Sequence, residues 1–269
     1  MNVVDIGSGP PIVLIPGIQG RWEWMKPAVD ALARRCRVIT FSLADERTAA
    51  CSFDAANGFD CYVEQVRAAM DQADVKTATI CGVSYGSLIA SAFAARHPDR
   101  VAALVIASGI PPSWKPDRRV LFYLRAPRLL SPVFCLASIR LHREIAAATP
   151  GVLRGVAASL HLGGTAASHM FSPTRMAHRV KMLSRLELEP ELKGVRAPTL
   201  VITGEAELDR VVPVHLTHQY LQLWPHARVV TLPRTGHLGL ISRPAEFAQL
   251  IVPLVEETAG MTGSRRRIG

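Results

Sequence analysis

Residues 77–95 read Thr-Ala-Thr-Ile-Cys-Gly-Val-Ser-Tyr-Gly-Ser-Leu-Ile-Ala-Ser-Ala-Phe-Ala-Ala, and this stretch decides the fold. Thr77 to Cys81 is a short apolar and β-branched run, the composition of a buried strand. From Ser87 onward the chain is rich in Ala, Leu and Ile and free of Gly and Pro, which is a helical pattern. Between the two lies Gly82-Val83-Ser84-Tyr85-Gly86, a G-x-S-x-G sequence. A strand that becomes a helix within so few residues must turn sharply. Glycines at both ends of the turn remove side chains that would collide with neighbouring segments. The turn then projects the Ser84 hydroxyl outward at the end of a strand, the setting a serine nucleophile requires.

The same alternation extends in both directions. Strand patterns fall at Pro11–Ile15, Arg37–Phe41, Thr77–Cys81, Val101–Ala107, Thr199–Ile202 and Arg228–Leu232, with helical patterns near 22–34, 59–73, 85–96, 214–223 and 244–257. Strands alternating with helices imply an α/β fold, a mostly parallel sheet with helices on both faces. The alternation stops at Pro111-Pro112 and resumes at Ala197-Pro198. Residues 1–110 and 194–258 thus form the α/β core, and 111–193 an inserted helical cap broken at Pro116, Pro127, Pro132, Pro150, Gly163-Gly164 and Pro173. The cap's apolar runs, Val120–Leu124 and Phe134-Cys135-Leu136, would pack on the core or face a substrate. Residues 259–269, which include Arg265-Arg266-Arg267, read as a basic, disordered tail.

The 269 residues carry a formal charge of +9, and 49% of them are hydrophobic. Residues 111–193 hold 13 Lys or Arg against 5 Asp or Glu, so the cap and the tail account for the excess. No nucleic-acid-binding module or interleaved aromatic pattern accompanies this charge, which argues against a nucleic-acid partner. No apolar run approaches the roughly 20 residues of a membrane span, and no signal-peptide pattern opens the chain. Stable membrane insertion is therefore not expected. Five scattered cysteines without a C-x-x-C pair fit free thiols in a reducing, cytoplasmic setting rather than a metal or redox site. No H-E-x-x-H or Gly-rich phosphate loop is present, so neither metal nor organic cofactor is expected.

A serine hydroxyl becomes a useful nucleophile only when a base takes its proton. His237, in Arg234-Thr-Gly-His-Leu just past the last strand, is the candidate base. An acid should follow the preceding strand, and Gly204-Glu-Ala-Glu-Leu-Asp-Arg-Val-Val-Pro supplies Glu205, Glu207 and Asp209. The order Ser, Asp, His favours Asp209, with the two glutamates as competitors. The developing negative charge of an acyl-transfer reaction needs fixed donors. The backbone N–H of Tyr85 and that of Ile18, in the turn Pro16-Gly17-Ile18, are the candidates. Gln19, Trp22 and Trp24 lie near this turn and are candidate substrate contacts, although aromatics at helical spacing more often belong to a core.

With these pieces assembled, the chain resembles the α/β-hydrolase family, specifically its serine esterase- and lipase-like members with a helical cap. The resemblance rests on Gly9–Gly17, the Ser84 turn with Arg96-His-Pro-Asp-Arg-Val101 after it, Asp209-Arg-Val-Val-Pro213 and Gly236-His237. It implies a hydrolase that needs no cofactor and cleaves a small-molecule ester through an acyl-enzyme. Serine at the nucleophile position argues against epoxide hydrolases and haloalkane dehalogenases, which use aspartate. Three departures stand out: Pro-Gly replaces the frequent His-Gly in the oxyanion turn, the N-terminus is short enough to lack an edge strand or two, and the acid loop is about one residue longer than the usual Gly-Glu-x-Asp pattern. Two rival readings accompany the esterase: a carbon–carbon hydrolase of dienoate-type acids, and a non-catalytic receptor or scaffold on the same fold.

Overall fold

In the computed structural model, residues 1–132, 141–149, 164 and 172–265 are described, with side chains as far as Gly260. Phe134-Cys135-Leu136, Arg140, Pro150, Gly163, Arg266 and Arg267 lie outside the described residues.

Among the described residues, seven strands form one sheet: β1 (Val3–Ile6), β2 (Pro11–Ile15), β3 (Arg37–Phe41), β4 (Ala78–Val83), β5 (Val101–Ala107), β6 (Thr199–Thr203) and β7 (Arg228–Thr231), in the order β1-β3-β2-β4-β5-β6-β7. All neighbours run parallel except β1, which pairs antiparallel with β3 from Val3 opposite Phe41 to Ile6 opposite Val38. The short N-terminus therefore does contribute an edge strand. Sequence patterning missed it because only four residues pair and the last two are exposed, which weakens the alternation.

Period-two alternation sorts the strand residues between two cores. Val13, Ile15, Ile39, Phe41, Ile80, Leu104 and Ile106 face one of them, together with the helices α2 (Asp60–Gln72) and α3 (Gly86–Arg96). Ile12, Leu14, Val38, Cys81, Ala103 and Val105 face the other, against α1 (Lys26–Leu32) and the C-terminal helix. Both α1 and the 3₁₀ turn Trp22–Met25 fall within the stretch read as one helix.

Between β5 and β6 the chain forms α4 (Arg118–Arg125), α5 (His142–Ala148), α6 (Pro173–Leu183) and α7 (Glu189–Leu192). Asp117 caps α4 by accepting from the Val120 N–H at 2.8 Å, and the Ser172 side chain caps α6. Leu183, Leu188 and Leu192 anchor the end of this insertion in the first core. Leu121 and Phe122, expected to be packed or to face a substrate, stay about half exposed at 47% and 51%.

After β6 come α8 (Val214–Thr217) and α9 (Tyr220–Leu223), and after β7 α10 (Gly239–Ser242) and α11 (Pro244–Arg265). Residues 259–265 thus continue a helix instead of opening a disordered tail. Phe247, Ile251, Leu254 and Val255 nucleate α11 on the core, and extending an existing helix costs little per residue.

Candidate active site

Strand order reverses at β2: β3 and β4, consecutive in the chain, lie on opposite sides of it. In open α/β sheets, ligands bind beyond the carboxyl ends of the strands at such a point. The turn after β2 carries Ile18, and the turn after β4 carries Ser84.

Ser84 adopts φ 52°, in the left-handed region that non-glycine residues seldom occupy. The surroundings hold it there. Its N–H donates to the Ala107 carbonyl at 2.9 Å, and its own carbonyl accepts from Ser87 at 3.0 Å. A Cβ on Gly82 would come within 2.6 Å of the Gly86 carbonyl carbon and of Ser87 Cα, and one on Gly86 within 2.6 Å of the Ile15 and Pro16 carbonyl oxygens. Both glycines are therefore dictated by backbone contact, as the sequence reading inferred. A Cβ placed on Gly17 would lie 3.4 Å from Ser84 Cβ, so the turn bearing Ile18 abuts the serine. Tyr85 precedes the first residue of α3, and the N–H groups at a helix start have no intrahelical acceptor.

His237 and Asp209 meet at the ends of β7 and β6. His237 Nδ1 lies 3.4 Å from Asp209 Oδ2, and both residues are buried. The other carboxylate oxygen, Oδ1, accepts from the N–H groups of Val211 and Val212, each at 2.9 Å. These two donors satisfy a carboxylate that is almost wholly removed from water and leave Oδ2 for the imidazole. The competitors are separated by geometry. Glu207 is exposed, while Glu205 accepts from the Arg234 N–H at 2.8 Å and ties the acid loop to the histidine loop.

The candidate substrate contacts divide. Gln19 lies beside the turn, its Oε1 3.2 Å from where a Gly17 Cβ would be. Trp22 packs against the core formed with α1 and α11, so its bulk serves packing, and Trp24 is half buried.

Glu144, on α5, was not singled out from sequence. It is fully buried, and its Oε1 accepts from the Leu238 N–H at 2.5 Å, next to His237. Burial raises its pKa above the ordinary carboxylate value, against the opposing pull of the Gly236 and Leu238 N–H groups and of His237. One acid within a cationic insertion gives no signal in sequence that it will meet a loop 94 residues away. Arg179, one of the 13 basic residues of the insertion, is likewise fully buried and ion-paired with Asp45 and Glu46. Among the described residues, no group of three or more His, Cys, Asp or Glu is arranged to hold a metal.

The alpha/beta hydrolase family model matches residues 12–250, and the chain belongs to that family. The 2-hydroxymuconate semialdehyde hydrolase of Pseudomonas sp. (strain CF600) is 26% identical over 276 residues, spanning 95% of this chain and 90% of that protein. Among solved structures, the esterase EaEST from Exiguobacterium antarcticum aligns with a TM-score of 0.77 at 18% identity over 94% of both chains. The enol-lactonase from Burkholderia xenovorans LB400 aligns at 0.73 and 20% identity over 94% of this chain and 95% of that one. At these identities the two structures speak for the fold alone.

Proposed function

We propose that this hydrolase cleaves carboxylic esters of small molecules through an acyl-enzyme, with Ser84 as nucleophile, His237 as general base and Asp209 as its orienting acid. The observation that carries this reading is the strained serine at φ 52° on the same sheet edge as a buried His237–Asp209 pair. His237 takes the Ser84 proton as the hydroxyl oxygen attacks the ester carbonyl. The N–H groups of Ile18 and Tyr85 stabilise the oxyanion, and the imidazolium then returns the proton to the leaving alcohol. Water, deprotonated by His237 in turn, releases the acid. Asp209 keeps Nδ1 protonated and so leaves Nε2 free to act as base. The insertion serves as a cap over this edge, and the buried thiols Cys36 and Cys81 fit a reducing, cytoplasmic setting.

Replacing Ser84 or His237 by Ala is expected to lower kcat by about 10³- to 10⁶-fold while leaving the fold intact. A variant retaining a tenth of wild-type activity would remove that residue from the mechanism. A series of nitrophenyl esters of increasing acyl length then maps the substrate.

The semialdehyde hydrolase relative favours a second reading, cleavage of a carbon–carbon bond in a dienoate-type acid. Direct assay of such an acid separates the two: turnover of the dienoate well above that of every ester in the series supports the second reading over the first.

A further inference from the structure

Arg179 stands on α6, 161 residues along the chain from Ile18, yet its guanidinium reaches the proposed oxyanion turn. Nη1 donates to the Ile18 carbonyl at 2.6 Å. Nη2 donates to Asp45 Oδ1 at 2.5 Å and to Glu46 Oε1 at 2.6 Å, and Nε to Asp45 Oδ1 at 3.2 Å. One helical turn earlier, Arg175 donates to Glu46 Oε2 at 3.2 Å. The turn has been shaped around this group: Gly20, at φ 76°, lies so close that a Cβ there would be 2.5 Å from Arg179 Cζ.

The rest of the turn is tied by the core. The Gly20 N–H donates to the Gly17 carbonyl at 2.9 Å, closing a four-residue turn, and the Leu43 N–H donates to the Gly20 carbonyl at 2.7 Å. These bonds tie the turn at its two ends, Gly17 and Gly20, and leave Ile18 between them. Arg179 holds the Ile18 carbonyl and so ties the middle of the turn to α6. Pro16, Gly17 and Ile18 bring no polar side chain that could do so. A buried ion pair is weak grounds for stability, because desolvation offsets most of the attraction. The planar fork of arginine does supply fixed direction, and two carboxylates aim it.

We propose that Arg179 is a positioning residue for the oxyanion hole: by holding the Ile18 carbonyl it fixes the place of Ile18, and with it the Ile18 N–H, beside Ser84. The proposal rests on the esterase reading and on Ile18 as a donor. Asp45 and Glu46 aim the guanidinium, so the hole is preorganised only while α6 is docked on the core.

The test compares wild type with Arg179→Lys and with a charge-compensated triple variant, Arg179→Met with Asp45→Asn and Glu46→Gln, which leaves no fully buried charge unpaired, Arg175 keeping access to solvent. Melting temperature and circular dichroism establish folding, and active-site titration normalises rates. A nitrophenyl ester gives kcat and KM, and a trifluoromethyl ketone, which forms a tetrahedral adduct on a nucleophilic serine, reports the oxyanion hole. In the folded triple variant kcat should fall about 10- to 100-fold, less than the roughly 10²- to 10³-fold loss from removing a donor outright. KM should stay within about threefold, and ketone affinity should fall in step with kcat/KM, as expected for a loss confined to transition-state binding. Arg179→Lys, which cannot span the carbonyl and both carboxylates, should fall between the two. A folded triple variant, or folded Arg179→Lys, with wild-type kcat and ketone affinity overturns the proposal. Wild-type protein that neither turns over esters nor binds the ketone overturns the esterase reading itself.

Discussion

Asp209, Glu207 and Glu205 stand within five residues of one another, and only their surroundings separate them. Asp209 is buried beside His237 with two backbone donors, Glu207 is exposed, and Glu205 is committed to the Arg234 N–H. Asp209→Asn is therefore expected to lower kcat by about 10³- to 10⁴-fold, since the amide can present its N–H to Nδ1 and impose the wrong tautomer. Glu207→Gln should be silent and Glu205→Gln mild, because Gln still accepts from Arg234. Steady-state kinetics of the three variants check this, and the reverse ranking reassigns the acid to a glutamate.

Glu144 yields a pH prediction at the same scale. Its folded pKa is raised by burial, with Asp209 adding to the rise and His237 and two N–H donors opposing it. A carboxyl whose folded pKa lies above its unfolded one contributes most below the unfolded value, and this contribution is lost as pH climbs through the folded value. Glu144→Gln keeps an acceptor for the Leu238 N–H but cannot ionise. Its melting temperature should gain on wild type as pH rises from the ordinary carboxylate range, then level off. A difference independent of pH between 4 and 9 would contradict the buried placement of this side chain.

At the scale of elements, the strand–turn–helix around Ser84 is the most tightly determined piece of the molecule. Gly82→Ala places a methyl against the backbone of Gly86 and Ser87, where nothing can yield cheaply. The expected cost is about 3 kcal/mol, a fall in melting temperature on the order of 10 °C. Thermal denaturation of Gly82→Ala should show it, and unchanged stability would mean that the turn is looser than described. This element was legible in sequence because its constraints are local: an apolar strand, two glycines and a helix in nineteen consecutive residues. Strands β2 to β6 were legible for the same reason, since buried parallel strands read as short apolar runs, and the partly buried β7 was legible from its Val229-Val230 pair. Less local features were not. The edge strand β1 has too little buried surface to alternate clearly, and the region read as one helix at 214–223 divides into α8 and α9. Arg179 and Glu144 gain their roles only through contacts across 161 and 94 residues, and the charge of a side chain does not reveal what will lie opposite it.

Across the whole molecule, the positive charge lies mainly on the insertion between β5 and β6. With Arg179 neutralised by acids, the charges left to act on a substrate are exposed ones such as Arg118, Arg119, Arg125, Arg143 and Lys181. Exposed charges act through solvent and are screened as the Debye length shortens from ~10 Å at 0.1 M salt to ~3 Å at 1 M. If they steer substrate, kcat/KM for an ester bearing a carboxylate should fall markedly over that range, while a neutral ester of equal length changes little. Parallel responses would assign these charges to solvation alone.

Ser84, activated by His237, is the nucleophile we propose for this hydrolase fold. The most direct test is reaction of the purified protein with a fluorophosphonate, followed by mass spectrometric location of the adduct. One stoichiometric adduct on Ser84 is predicted for the wild type, with none in Ser84→Ala and about 10³-fold slower labelling or less in His237→Ala. Wild-type protein that stays unlabelled, or a Ser84→Ala variant that labels as fast as wild type, would remove Ser84 from the role of nucleophile.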